Sequence, residues 1–260
     1  MSESGFISVG ATKLETLRCE GGRAAPTLVL LHEGLGCCAM WRQFPEQLAE
    51  ATGLDVFAYS RAGYGASSPI NLPRALDYHT REALDILPQV LEGAAIGDCI
   101  LVGHSDGASI AIVYQGEKAD PRVRGLVLMA PHVMTEKKSV LTITEAGDIF
   151  RGTNLRERLA RYHGDNVDGA FWGWRDAWVD PMFRRWSIEQ HLGSIKVPVL
   201  TIRGDDDQYS TAQHVLRINA KVSGPVKHVG LPCQHSPPTE ATDDCVAAIA
   251  DYIRERGLLN

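Results

Sequence analysis

The 260-residue sequence predicts an α/β fold, a mainly parallel β-sheet flanked by helices, with a helical cap inserted late in the chain. Three observations predict it. Short apolar runs of strand length recur at 27–31, 54–59, 99–102, 123–129, 197–202 and 226–229. Helix-spaced segments separate most of them, which is the pattern of parallel strands joined by crossover helices. The alternation lapses once, between about 131 and 193, where no strand is legible and where Trp172, Trp174, Trp178 and Trp186 fall.

Taken in order, 6–10 and 14–19 read as a hairpin that Gly21 and Gly22 end. Thr27 to Leu31 is continuously apolar, as a strand buried on both faces must be. Residues 41–51 carry helical spacing, 54–59 a strand, and 78–91 a helix that Pro88 should kink. A strand at 99–102, a helix at 108–115 and a strand at 123–129 follow. The segment 131–193 reads as an insertion over one end of the sheet, between core segments 1–130 and 194–260. Strands at 197–202 and 226–229 then resume the pattern, and 243–254 closes it as a helix. Neither an internal repeat nor a low-complexity linker divides the chain, and 44% hydrophobic residues are enough for one sizeable core.

A net charge of −6, with basic residues grouped only at Lys137-Lys138 and Arg184-Arg185, argues against a nucleic-acid partner. The start, MSESGFISVG, lacks the basic and apolar regions of a signal peptide. No apolar run approaches the roughly 18 residues of a membrane span. Six cysteines, at 19, 37, 38, 99, 233 and 245, form no C-x-x-C pair, so zinc is not expected. They read as reduced thiols of a cytoplasmic protein, some of them reactive.

The chemistry concentrates in Gly103-His104-Ser105-Asp106-Gly107. As a bare G-x-S-x-G this means little, since roughly 0.13 matches arise by chance in such a composition. Its setting means more, because it follows an apolar strand and opens a helix. A turn that tight leaves a serine hydroxyl exposed above the sheet, and the helix behind it aims N–H groups at developing negative charge. The plainer reading is a glycine-rich turn whose serine caps a helix. A serine nucleophile needs a base, and the base an orienting acid, downstream in the order acid then histidine. Asp205-Asp206-Asp207 follows the strand 197–202, and His235 follows the strand 226–229. Both therefore lie at carboxyl ends of strands, where open α/β sheets place their sites.

With these residues the chain resembles the α/β-hydrolase superfamily over nearly its whole length. The resemblance rests on His32-Glu33-Gly34-Leu35-Gly36, on Ser60-Arg61-Ala62-Gly63-Tyr64-Gly65, on the turn around Ser105, on Gly204-Asp205-Asp206-Asp207 and on His235. It implies a Ser105–His235–Asp207 triad, with Asp206 as the second candidate for the acid. It also implies an oxyanion hole made of the Asp106 N–H and an N–H of Gly34 or Leu35. The family commonly has glycine where Glu33 and Gln234 stand. Glu33, His104, Trp172 and Trp178 are candidate pocket residues, although at least half of the cap tryptophans should simply pack the insertion.

The resemblance implies hydrolysis of a small to medium, fairly apolar carboxylic ester through an acyl-enzyme, without metal or cofactor. Thioester or C–C bond cleavage fits the same triad. Two other classes compete. Gly34-Leu35-Gly36-Cys37-Cys38-Ala39 also fits a dinucleotide fingerprint, with Asp55 at the usual distance, and would suit an NADP-dependent reductase. A hydrolase-fold ligand-binding protein with incidental turnover is the third.

Overall fold

The computed structural model describes residues 2–259. Eight strands form one sheet in the order β1-β2-β4-β3-β5-β6-β7-β8. They are β1 (Ser2–Val9), β2 (Thr12–Cys19), β3 (Arg23–Leu31), β4 (Leu54–Tyr59), β5 (Cys99–His104), β6 (Val123–Met129), β7 (Val199–Gly204) and β8 (Val226–Leu231). The β1–β2 hairpin turns at Gly10, where φ is +58°, and pairs antiparallel onto β4. From β4 to β8 every pairing is parallel. The fold is the α/β-hydrolase fold that the motifs implied.

Alternation within the central strands explains the two apolar layers. Val29 and Leu31 of β3 and Leu101 of β5 face the helices at 78–93 and Asp106–Lys118. Leu28, Leu30, Ile100 and Val102 face Phe44–Thr52 and Thr242–Glu255 on the other side. The helix expected at 41–51 divides into a 3-10 turn at Cys38–Trp41 and a helix at Phe44–Thr52. The kink expected at Pro88 takes the form of a π-helical turn, Glu82–Ile86, just before the proline. The missing N–H of Pro88 leaves the helix without one rung there.

Between β6 and β7 the chain forms helices at Lys137–Gly152, Leu155–His163 and Val167–Val179 and an isolated bridge between Met134 and Ser187. These helices enclose their own apolar cluster, built on Phe150, Phe171, Trp174, Trp178 and Phe183. Among the described residues no helix is long and apolar enough to cross a membrane.

All six cysteines are free and buried, none more than 7% exposed. Burial pushes the thiols of Cys19 and Cys233 up to about 11 and those of Cys37 and Cys99 up to about 12. The expectation of a reactive thiol therefore finds no candidate, because the thiolate is the nucleophile and burial suppresses it. Ellman's reagent should leave the native protein unmodified at neutral pH and titrate six thiols after unfolding; rapid native labelling of even one would contradict this packing.

Candidate active site

The site begins with two close approaches. A β-carbon on Gly107 would lie 1.9 Å from the carbonyl oxygen of Leu31, and one on Gly103 would lie 2.4 Å from that of Gly107. Only glycine fits at both, so the helix Asp106–Lys118 can start directly against the carboxyl ends of β3 and β5. The residue between them is held at φ +52°, ψ −112°, and that residue is Ser105. A non-glycine residue rarely adopts this conformation, and it is the strained turn from which a nucleophile projects.

The loops after β7 and β8 bring the other two members to it. Ser105 Oγ lies 2.9 Å from His235 Nε2, and His235 Nδ1 lies 2.9 Å from Asp207 Oδ1. A carboxylate accepts, so Nδ1 carries the proton and Nε2 is free to accept from the serine hydroxyl. Asp207 is 1% exposed, whereas Asp206 is exposed and points elsewhere. Burial opposes ionisation of Asp207. The hydrogen bond from His235 outweighs it, aided by the Ser210 hydroxyl at 2.7 Å and the Tyr209 N–H at 2.8 Å, and the carboxyl stays below the usual range.

On the opposite side lies the loop after β3. Its Leu35 N–H, one of the two candidate oxyanion donors, donates to the Glu33 carboxylate. That bond corrects the expectation for Leu35. Among the described residues no hydrogen bond engages the Gly34 N–H. The Asp106 N–H, first in its helix, has no intrahelical acceptor. The loop is rigid: Arg61, 1% exposed, donates from Nη1 to the His32 carbonyl at 2.5 Å and from Nη2 to that of Glu33 at 2.9 Å. His32 itself donates from Nδ1 to the Glu33 carbonyl and accepts the Arg61 N–H on Nε2. The 3-10 turn that follows, in place of a helix, removes the helix N-terminus that a dinucleotide fingerprint requires, and Asp55 accepts the Gly21 N–H.

A cavity of about 400 Å³ opens over Ser105 and His235, with Gly34, Leu35, Met40, Ile143 and Trp174 among its walls. Glu33 and Trp178 line it as expected. Trp172 does not: it packs on Phe150 and Phe171, with the Arg151 guanidinium 4.5 Å over its ring. His104 is not among the walls of this cavity; it lines an adjoining cavity of about 230 Å³ and donates from Nε2 to the His235 carbonyl at 2.8 Å.

Sequence reasoning missed several contributors. His132 lines the cavity, with its ring 5.5 Å from that of His235, and Tyr209 covers the other side at 4.8 Å. Tyr78 donates to the Asp106 carboxylate at 2.5 Å and receives the Trp178 indole N–H at 3.0 Å, while His79 Nε2 lies 3.1 Å from Asp106 Oδ1. None of these sits in a local motif, and the one available signal is the polar triplet Asp77-Tyr78-His79 where the helix after β4 begins.

Burial, reinforced by the nearby His235 ring, pushes the His104 imidazole down to about 3. Between that value and 6.5 the unfolded chain binds a proton that the folded chain refuses. The stability present above 6.5 is thus lost as pH falls, by about 1.4 kcal/mol per pH unit from this group. Urea-unfolding midpoints should decline below pH 6.5, and His104→Asn should flatten that decline; an unchanged slope in the variant would mean that His104 is not held neutral.

A model of the α/β-hydrolase family matches residues 28–248. A proline iminopeptidase of Lactobacillus helveticus is 21% identical over 267 aligned positions, covering 88% of this chain and 90% of that protein. Among solved structures, the enol-lactonase from Burkholderia xenovorans LB400 superposes with a TM-score of 0.74 at 19% identity, over 96% of this chain and all of that one. A carboxylesterase from Bacillus subtilis does so with a TM-score of 0.71 at 19% identity, over 97% of this chain and 92% of that one. With the family model spanning most of its length and the sheet order observed above, the chain belongs to the α/β-hydrolase family.

Proposed function

We propose that the protein is a serine hydrolase that cleaves a small to medium carboxylic ester through an acyl-enzyme. The observation that carries this reading is the unbroken chain from Ser105 Oγ through His235 to Asp207, with 2.9 Å at each step. Ser105 Oγ attacks the ester carbonyl carbon as its proton passes to His235 Nε2. Asp207 holds the tautomer and stabilises the imidazolium. The N–H groups of Asp106 and Gly34 receive the oxyanion, each such donor being worth about 3 kcal/mol in the transition state.

Collapse of the tetrahedral intermediate breaks the ester C–O bond, and His235 gives its proton to the departing alkoxide. Water then attacks the acyl-enzyme by the same route and releases the acid. The apolar wall of Leu35, Met40, Ile143 and Trp174 suits an acyl chain of a few carbons. The carboxylesterase and enol-lactonase among the structural neighbours act on esters in the broad sense, in keeping with this choice of bond.

Hydrolysis of p-nitrophenyl acetate, butyrate and octanoate tests it. Ser105→Ala should lower kcat by about a million-fold, to background, with the protein still folded. Asp207→Asn should lower it by about ten-thousand-fold, because the amide favours the wrong imidazole tautomer. Full turnover by Ser105→Ala would remove the serine from the chemistry. Tight, saturable ester binding with no turnover by the wild type would turn the reading to a binding protein.

A further inference from the structure

The catalytic cavity does not end at its apolar wall. It shares Glu33, Met40, Leu155, Arg158, Leu159 and Ser236 with a second cavity of about 230 Å³ that adjoins it. The outer cavity brings together Arg42, from the turn after β3, with Arg158 and Arg161, one helical turn apart on the cap helix Leu155–His163. Among the described residues none of these three guanidinium groups has an ion-pair, hydrogen-bond or cation–π partner.

Their neighbours behave differently. Arg156 is paired with Asp168 at 2.5 Å and Arg175 with Asp176 at 2.9 Å, and Arg151 lies over Trp172. Glu33 is the one carboxylate lining either cavity, and it is committed to the Leu35 N–H. Glu240, in the groove on the far side of Arg42, is likewise committed, to the N–H groups of Gln234 and Ser236 at 2.7 and 3.4 Å; Asp243 and Asp244 line that groove but neither of the two adjoining cavities. In a chain of net charge −6, three cations without a direct partner gathered at one cavity leave a positive field beside the catalytic cavity. Arg42 is moreover held at φ +55°, ψ −125°, a conformation costly for a residue with a side chain.

We propose that Arg42, Arg158 and Arg161 bind an anionic group, a carboxylate or a phosphate, that the substrate carries at the end remote from the scissile carbonyl. The proposal rests on the serine-hydrolase reading and narrows it to esters with a charged tail. Guanidinium is suited to this, since its planar fork meets carboxylate and phosphate oxygens two at a time. The apolar stretch between Ser105 and the mouth takes the aliphatic linker, and the arginines set which end of the substrate enters first.

The test compares three p-nitrophenyl esters of one linker length: an adipate with its free carboxylate, the same ester capped as a methyl ester, and an analogue ending in phosphonate. At low ionic strength the wild type should turn over one or both charged esters with kcat/KM about tenfold above the capped one, and salt should erode the difference. The better charged ester identifies the anion. The charged-to-capped ratio should fall several-fold in Arg158→Gln and approach unity when Arg42→Gln and Arg161→Gln are added. The ratio is internal to each protein, so partial misfolding does not mimic the effect. Equal kcat/KM for charged and capped esters in the wild type, or a preference that survives the substitutions, would overturn the proposal. Ser105→Ala separates the two ideas: hydrolysis of the capped ester that persists without Ser105 defeats the serine mechanism, whereas Ser105-dependent hydrolysis without charge preference defeats only the anion site.

Discussion

Gly107 has no room for a β-carbon, and much of the site depends on that. Its α-carbon is pressed against the last carbonyl of β3, which brings the helix carrying Ser105 hard onto the sheet edge. The approach forces Ser105 into a left-handed backbone conformation and lifts its hydroxyl clear of the strand. It also sets the helix's first N–H beside the loop that follows β3. The proposed nucleophile and oxyanion donors are thus registered to one another through backbone packing, before any side chain is considered. Strain of this kind persists only where surrounding structure over-determines it. Here that structure is the fully buried β5 and the apolar helix behind it.

Two sets of contacts hold the remaining parts against this turn. From the sheet side, the buried Arg61 ties down the carbonyls of His32 and Glu33, and Tyr78 and His79 hold the Asp106 carboxylate. From the cap side, His163 bridges the Leu35 carbonyl and the Gly65 N–H, and the Trp174 indole lies flush against Gly34. The acid loop is treated alike, with Lys138, Ser139 and Thr142 of one cap helix donating to the carbonyls of Asp207, Tyr209 and Gln208. Unpaired polar groups at this depth would each cost a kcal/mol or more, so the network fixes one arrangement. The cap therefore does more than roof the pocket: it buttresses the loop after β3 and the loop that carries Asp207.

What the sequence made legible follows from the range over which each feature is determined. The central strands and the turn at Ser105 are local, written in apolar runs and two glycines, and all but the start of β3, which begins at Arg23 and not at Thr27, are legible within a residue or two. The choice of Asp207 over Asp206 was not, because both follow the same strand and only the path of the loop decides which is buried. Gly34 and Leu35 could not be separated for the same reason, until the Glu33 carboxylate was found on the Leu35 N–H. The cap tryptophans show an intermediate case. A helical repeat of 3.6 residues puts Trp174 and Trp178 on one face and Trp172 on the opposite one. The expectation pairs Trp172 with Trp178 instead, and which face meets the cavity depends on how the cap lies on the sheet. The roles of Arg61, Tyr78 and His132 are not legible in their local sequence because they act across the fold.

The division of labour has a consequence for specificity. Groups that touch the reacting atoms come from the turn after β5 and the loops after β3, β7 and β8, all anchored to the sheet. Groups that meet the rest of a substrate come mainly from the cap, and Arg158 and Arg161 stand on its shortest α-helix, at the surface, with no structural partner to lose. Arg42 alone among the three belongs to the core, one turn beyond the oxyanion loop. A cap helix can therefore exchange its outward-facing cations without disturbing the inward contacts of Leu159 and His163, which hold that helix to the site. On the proposed reading, reaction type is set by the sheet-anchored loops and substrate charge by the outer face of this short helix, so one can change without the other.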